Sequence, residues 1–135
     1  MAATDFLIPA IEIIDSRFTG FKFDMQSVIA DNSSSARYVV GSYPRRPDGI
    51  DLRTIGAVME INGDIVALGA GAEVLNNPAE AIALMVRILH GMGETLTAGS
   101  IALSGAITAA YAVKPGDHVR ASFHELGSVS VCFTD

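Results

Sequence analysis

The sequence predicts an α+β domain with a mainly antiparallel sheet and one main helix, and three observations carry that prediction. Many short segments of strand composition are separated by turn residues. One Asn-Gly pair joins two of them, and a single stretch combines a helix-capping pattern with an apolar helical face. The length of 135 residues suits one core, since domains commonly run about 100–150 residues, and residues 1–135 are taken as a single domain.

The first strand-like run is Phe6-Leu7-Ile8-Pro9-Ala10-Ile11-Glu12-Ile13-Ile14-Asp15. Pro9 has no N–H to give a ladder and belongs near the strand start or at an edge. Residues 18–24 are short and aromatic, and the polar cluster Asp31-Asn32-Ser33-Ser34-Ser35 reads as a loop or helix end. Tyr38-Val39-Val40-Gly41 is a brief strand before the turn-rich Tyr43-Pro44-Arg45-Arg46-Pro47-Asp48-Gly49. Asn62-Gly63 lies between Gly56-Ala57-Val58-Met59-Glu60-Ile61 and Asp64-Ile65-Val66-Ala67-Leu68-Gly69. A type I′ turn needs positive φ at both central residues, which Asn and Gly tolerate, so a hairpin is predicted there.

Asn77-Pro78-Ala79-Glu80 opens a helix over 78–89, with Asn as N-cap, Pro at N1 and Glu near the positive end of the dipole. Ile82, Met85, Val86 and Leu89 form its apolar face, and Gly91 is the expected stop. Residues 101–104 read as a strand and Pro115-Gly116-Asp117 as a turn. Val119, Ala121 and Phe123 alternate with polar neighbours, and a last strand carries Val129, Val131 and Phe133.

Composition limits the function classes. Half the residues are apolar, 18% are charged and mean hydropathy is +0.39, which is rich for a small monomer and predicts self-association. A net charge of −6 and a pI near 4.9 argue against nucleic acid or an anionic membrane as the main partner. Cys132 is the lone cysteine, so no intrachain disulfide forms, and its place in the apolar run 129–133 predicts a packed thiol in a reducing compartment. No basic-then-apolar leader pattern opens the chain, and the most apolar stretch, 100–113, is short and broken by Ser, Gly and Thr. The expected location is cytoplasmic.

Most motifs with chemical associations reduce to structure. Gly69-Ala70-Gly71-Ala72-Glu73-Val74 has Val74 where a dinucleotide fingerprint has its third glycine, so a turn is the better reading. His90, His118 and His124 lack metal-ligand spacing and read as surface residues. Ser104, in Leu103-Ser104-Gly105-Ala106, lacks the preceding glycine of a nucleophile elbow. Glu12 and Asp15 differ, because carboxylates in an apolar stretch need a compensating cation or hydrogen bonds. An ion pair with Arg17 and a metal site both satisfy that, and the residues alone leave both open.

Ala2-Ala3-Thr4-Asp5-Phe6-Leu7-Ile8-Pro9-Ala10-Ile11-Glu12-Ile13-Ile14-Asp15-Ser16-Arg17 is similar to a signature of the 4-oxalocrotonate decarboxylase and 2-hydroxypentadienoate (2-oxopent-4-enoate) hydratase family. Val28-Ile29-Ala30-Asp31-Asn32-Ser33-Ser34-Ser35, the hairpin into Gly69-Ala70-Gly71-Ala72, Leu103-Ser104-Gly105-Ala106-Ile107-Thr108-Ala109-Ala110, Pro115-Gly116-Asp117 and Leu126-Gly127-Ser128-Val129-Ser130-Val131 follow in the family's order. Phe21-Lys22-Phe23 and the segment after Gly105 look closer to the decarboxylase branch.

The resemblance implies a mixed β-sandwich roll like the C-terminal part of fumarylacetoacetate hydrolase, and a lyase of aromatic catabolism acting on 2-oxo-dienoates. It implies Mg2+ or Mn2+ held by three carboxylates, of which Glu12 matches one, with Asp15 and Arg17 orienting it. Such a metal chelates the substrate's carboxylate and 2-oxo oxygen and makes the carbonyl an electron sink. Asn32, Ser33 and Ser34 are candidates for binding the substrate carboxylate through amides, hydroxyls and backbone N–H groups, against the alternative of a simple cap or turn. Ser104 and Gly105 line the same pocket by resemblance.

The likeness starts at Met1, leaving no place for the family's upstream Glu-x-Glu pair and lysine. The expectation is therefore a chain truncated by its N-terminal half, weak or inactive alone and a poor metal binder. A homo-oligomer or a complementing chain would then complete the site for a small 2-oxo acid. A hydratase and a non-catalytic remnant or binding module are the alternatives.

Overall fold

A computed structural model describes residues 1–135. Six strands form two antiparallel sheets. β1 (Ala10–Ile14) pairs with β2 (Ser35–Val40), and β3 (Gly56–Ile61), β4 (Asp64–Ala70), β5 (His118–Phe123) and β6 (Gly127–Cys132) lie in the order β4-β3-β5-β6. A short helix, α1 (Met25–Ala30), and a long one, α2 (Pro78–Gly91), complete the α+β architecture. No helix is long and apolar enough to cross a membrane.

The alternation of β5 and β6 sets the core. Ala57, Val119, Ala121 and Val129 share one sheet face and are buried, closed off by Ile55, Val74 and Leu126. The same period-2 rule turns Cys132 outward. The expected packed thiol is therefore exposed, because it sits between the inward positions Val131 and Phe133.

The Asn62-Gly63 hairpin forms as predicted, with φ of 56° and 90° at its two central residues. Asn62 also does something turn chemistry does not require. Its Nδ2 donates to Asp117 Oδ1 at 2.9 Å and its Oδ1 accepts from His118 N at 2.9 Å. Asp117, 6% exposed, takes a further bond from Lys114 N at 2.9 Å, and its carbonyl oxygen accepts from Phe133 N, just past β6, at 2.8 Å. Two turns far apart in sequence are thus latched together.

Helix α2 starts where its caps say, with Asn77 accepting from Ala79 N at 3.0 Å. It runs two residues past the expected end: Gly91 is its last residue, and Gly93 (φ 78°) stops it. Gly93 N bonds His90 O and Glu94 N bonds Leu89 O, the paired closure that a left-handed residue after the helix permits. Ile82, Met85 and Leu89 are half-buried, whereas Val86, expected on the same face, is exposed and no residue of α2 is fully buried.

Residues 101–104 form no strand, since nothing in the chain pairs with them. From 101 to 113 no backbone–backbone hydrogen bond is made. This segment instead crosses Gly69 so closely that a Cβ there would lie 2.1 Å from Ile107 O. A Cβ on Gly71 would meet Leu52 O at 1.8 Å. Close backbone passage explains both glycines of the Gly-Ala-Gly motif, with no phosphate cradle.

The chain exposes 9267 Å², whereas a folded monomer of 14.1 kDa is expected to expose about 6,700 Å². Ile65, Leu68, Ile88, Met92 and Ile101 are each more than half exposed.

Two outcomes follow for stability. Gly63→Ala, forced to positive φ, lowers unfolding stability by about 1–2 kcal/mol in a denaturant titration, without altering α2. The Asn62 hydrogen bond, joined by that of Lys114 and opposed by burial, holds the Asp117 carboxyl below the usual carboxylate range. Its contribution is full above the unfolded value of about 3.9 and is lost as pH falls through the folded one. Acid unfolding of Asp117→Asn shows that pH-dependent component removed.

Candidate functional site

Glu12 sits mid-strand on β1, directly opposite Tyr38 of β2. The register places Ala10, Ile14 and Val40 on the same face, and Glu12, Ile14, Tyr38 and Val40 are all exposed. The carboxylate therefore stands on an apolar sheet face with no hydrogen bond or ion pair of its own. It lines neither of two open concavities of the chain. One, of about 500 Å³, lies over β3, β4 and β5 and includes Val58, Leu68, Phe123 and His124. The other, of about 350 Å³, lies between β1–β2 and β6 and includes Ile13, Asp15, Arg37 and Cys132.

The second cluster is built at the end of the same ladder. α1, N-capped by Asp24 accepting from Ser27 N at 2.8 Å, ends at Asp31. The chain then makes a 3₁₀ turn over Asn32–Ser34 before entering β2. Asn32, Ser33 and Ser34 have φ of 51°, 54° and 59°, a left-handed run that costs non-glycine residues about 1 kcal/mol or more each. Ser34 O accepts from Asp15 N at 2.8 Å, so the turn is tied to the end of β1. Along a strand rising about 3.3 Å per residue, Glu12 and Asp15 are separated by about 10 Å.

Asp31 is the hub, although sequence reading did not single it out. It is 4% exposed, and Arg17 grips it twice, Nε to Oδ1 and Nη2 to the backbone oxygen. Ser34 Oγ donates to Oδ2 at 3.0 Å, Arg17 N at 3.3 Å and Ser16 Oγ at 3.5 Å. Burial by itself pushes the Asp31 carboxyl up, but the hydrogen bonds from Arg17 and Ser34 and the Arg17 charge outweigh it. The group is held below the usual carboxylate range.

These contacts redraw the expected roles. Arg17 pairs with Asp31 and makes no hydrogen bond or ion pair with Glu12 or Asp15, because the chain carries its guanidinium towards the α1 end. Asp15 faces the second concavity instead. Ser34 is 2% exposed with its hydroxyl given to Asp31, whereas Asn32 and Ser33 remain exposed. Ser104 is half-buried and Gly105 (φ 108°) lies against Val74; neither bonds to the Asp31 cluster. Tyr38 is a further neighbour of Glu12 that only strand register could reveal.

The donor set does not make a closed cation site. No group of three or more His, Cys, Asp or Glu gathers anywhere in the chain, and a hard divalent ion takes about six oxygen ligands. One carboxylate on an open face falls well short of a magnesium or manganese site.

Comparison with known proteins shows the family of the chain. Residues 17–134 match the family described as fumarylacetoacetate (FAA) hydrolase C-terminal. The 4-oxalocrotonate decarboxylase of Pseudomonas putida is 49% identical over 98% of this chain and 50% of its own length. A 2-keto-4-pentenoate hydratase of Paraburkholderia xenovorans is 38% identical over 98% of this chain and 49% of its own. The solved structure of 4-oxalocrotonate decarboxylase from Pseudomonas putida G7, complexed with magnesium and adipate, superposes with a TM-score of 0.92 at 47% identity, covering 96% of this chain and 49% of that one. The chain spans about half the length of the curated relatives it matches.

An NMR titration of the Asp31 side chain gives a midpoint below that of an ordinary aspartate. In Arg17→Gln the midpoint rises, since burial then dominates. An unchanged midpoint would show that Arg17 does not set the charge state of Asp31.

Proposed function

The chain belongs to the fumarylacetoacetate hydrolase C-terminal family, and from that premise we propose that it forms half of a 4-oxalocrotonate decarboxylase-type site that binds a small 2-oxo dicarboxylic acid. What carries this is one ladder: Glu12 and the left-handed Asn32–Ser34 turn stand about 10 Å apart along the β1–β2 pair, a span suited to an extended six-carbon diacid. Asn32 and Ser33 are both exposed, and the Asn32 amide and Ser33 hydroxyl offer donors to a carboxylate. Higher identity to the decarboxylase than to the hydratase favours decarboxylation over hydration.

The chain's own residues bind and orient; they do not complete the metal centre. Glu12 contributes one ligand, and the remaining donors come from a complementing polypeptide equivalent to the other half of the decarboxylase. The same polypeptide covers Glu12's apolar sheet face, α2 and the unpaired segment 101–113, which together account for the excess exposed area. A magnesium or manganese ion held there supplies a positive centre for the 2-oxo acid. Within this chain, Asn32 and Ser33 hold the acid's carboxylate while Tyr38 and the apolar face exclude water. The lone, unpaired Cys132 suits a cytoplasmic setting.

Complementation provides the direct test. The chain alone, with saturating magnesium, releases carbon dioxide from 4-oxalocrotonate at the background rate and binds magnesium no tighter than about 1 mM. Mixed with a polypeptide carrying the remaining half of the Pseudomonas putida decarboxylase, it gains activity, and Glu12→Gln abolishes the gain. A robust rate from the chain alone, or complementation indifferent to Glu12, would defeat this assignment. Light scattering checks the surface: the mixture forms a particle larger than either chain. A mass above 14.1 kDa for the chain alone would mean that a second copy covers the same face.

A further inference from the structure

Three consecutive non-glycine residues in left-handed conformation need something to hold them, and the sequence around the turn supplies no glycine. The backbone N–H of Asp31 already ends α1 by bonding Ser27 O at 2.9 Å, so its side chain is not needed to stop the helix. That side chain is nevertheless 2% exposed and meets four donors, from Arg17, Ser16 and Ser34. Every one of them belongs either to the segment following β1 or to the last residue of the turn.

We propose that Asp31 is the positioning residue of the carboxylate-binding turn, fixing Asn32 and Ser33 outward through its bonds to Arg17 and Ser34, and that Arg17 serves this lock and not Glu12. This rests on the turn being where a substrate carboxylate docks. The lock runs in a closed circuit. Ser34 N bonds Asp31 O and Ser34 Oγ bonds Asp31 Oδ2, closing the turn on itself. Ser34 O holds Asp15 N, and Arg17, two residues on, returns to Asp31. Rotation of Asn32 or Ser33 out of the left-handed region would break the Ser34 bonds and unseat the guanidinium together.

The charge arithmetic makes Arg17 indispensable. A buried carboxylate beside a turn that receives another carboxylate repels it. Arg17 cancels that charge, leaving a neutral pair that shapes the turn without opposing the ligand. Arg17→Gln therefore leaves a repelling carboxylate, and adding Asp31→Asn relieves it. Two independent structural supports would give additive losses; a neutral pair acting as a unit gives a partial recovery.

The test is NMR of the isotopically labelled chain, using backbone shifts and couplings that report φ at Asn32, Ser33 and Ser34, with adipate as the probe, with and without magnesium. The amides of β5 and β6 serve as the control for folding. In Asp31→Ala the left-handed signature of the three residues disappears and adipate binds at least tenfold more weakly. Arg17→Gln weakens adipate by a similar factor, and Arg17→Gln with Asp31→Asn regains several-fold of it. Should Asp31→Ala prevent folding, Asp31→Asn alone, which preserves shape and keeps an acceptor for Ser34, shows a partial loss of the signature. A turn that keeps its conformation in both Asp31 variants, or losses that add in the double variant, overturns the proposal. A wild-type turn that is left-handed but whose amides ignore adipate sinks the carboxylate reading itself, and the proposal with it.

Discussion

A carboxylate taken out of water must be met by donors, and this single constraint organises both sheets. Asp117 and Asp31, at 6% and 4% exposure, are the buried acids of the chain, and no buried side-chain polar atom is left without a partner. Asp117 is answered by Asn62 and Lys114 and thereby fastens the β3–β4 turn to the β5 entrance. Asp31 is answered by Arg17, Ser16 and Ser34 and fastens the end of α1 to the residues after β1. Losing such an acceptor strands several donors at once, which is costlier than losing an isolated hydrogen bond. The large sheet and the candidate site each depend on one such acid.

Local chemistry was readable from the residues. Asn62-Gly63, the Asn77 cap and the alternation of Val119, Ala121 and Val129 each encode their conformation within a few positions. Glu12 stood out as a carboxylate in an apolar run, the resemblance added the Asn32–Ser34 candidates, and the structure sets that turn at the end of Glu12's ladder. What escaped was non-local. Arg17 and Asp31 meet 14 positions apart, a spacing that matches no helical or strand period, so nothing in the chain around Asp31 marks it as a hub. The strand expected at 101–104 has suitable composition, but a strand exists only by pairing, and no partner lies in the chain. Gly91 looked like a helix stop because glycine usually is one, yet the left-handed position falls at Gly93, two residues later.

The apolar richness noted in the composition acquires a location. Glu12's face, the outer residues of α2 and the segment 101–113 are where the chain exposes side chains that a free domain would bury. Helix α2 has 14 residues and buries none of them fully, a length at which an isolated helix is marginal in water. The relatives that the chain matches are about twice its length, and such a surface is what the proposed complementing half would cover.

The latch between Asn62 and Asp117 has a kinetic consequence. β3 with β4, and β5 with β6, are local hairpins that can form within microseconds, but their union through β3 and β5 closes a loop whose latch residues are 55 positions apart. Helix α2 and the segment 101–113 lie inside that loop. The barrier to folding is then the entropy of bringing two preformed hairpins together. Asp117 lies at the seam, and a shorter connection between β4 and β5 lowers the entropy lost on closing it.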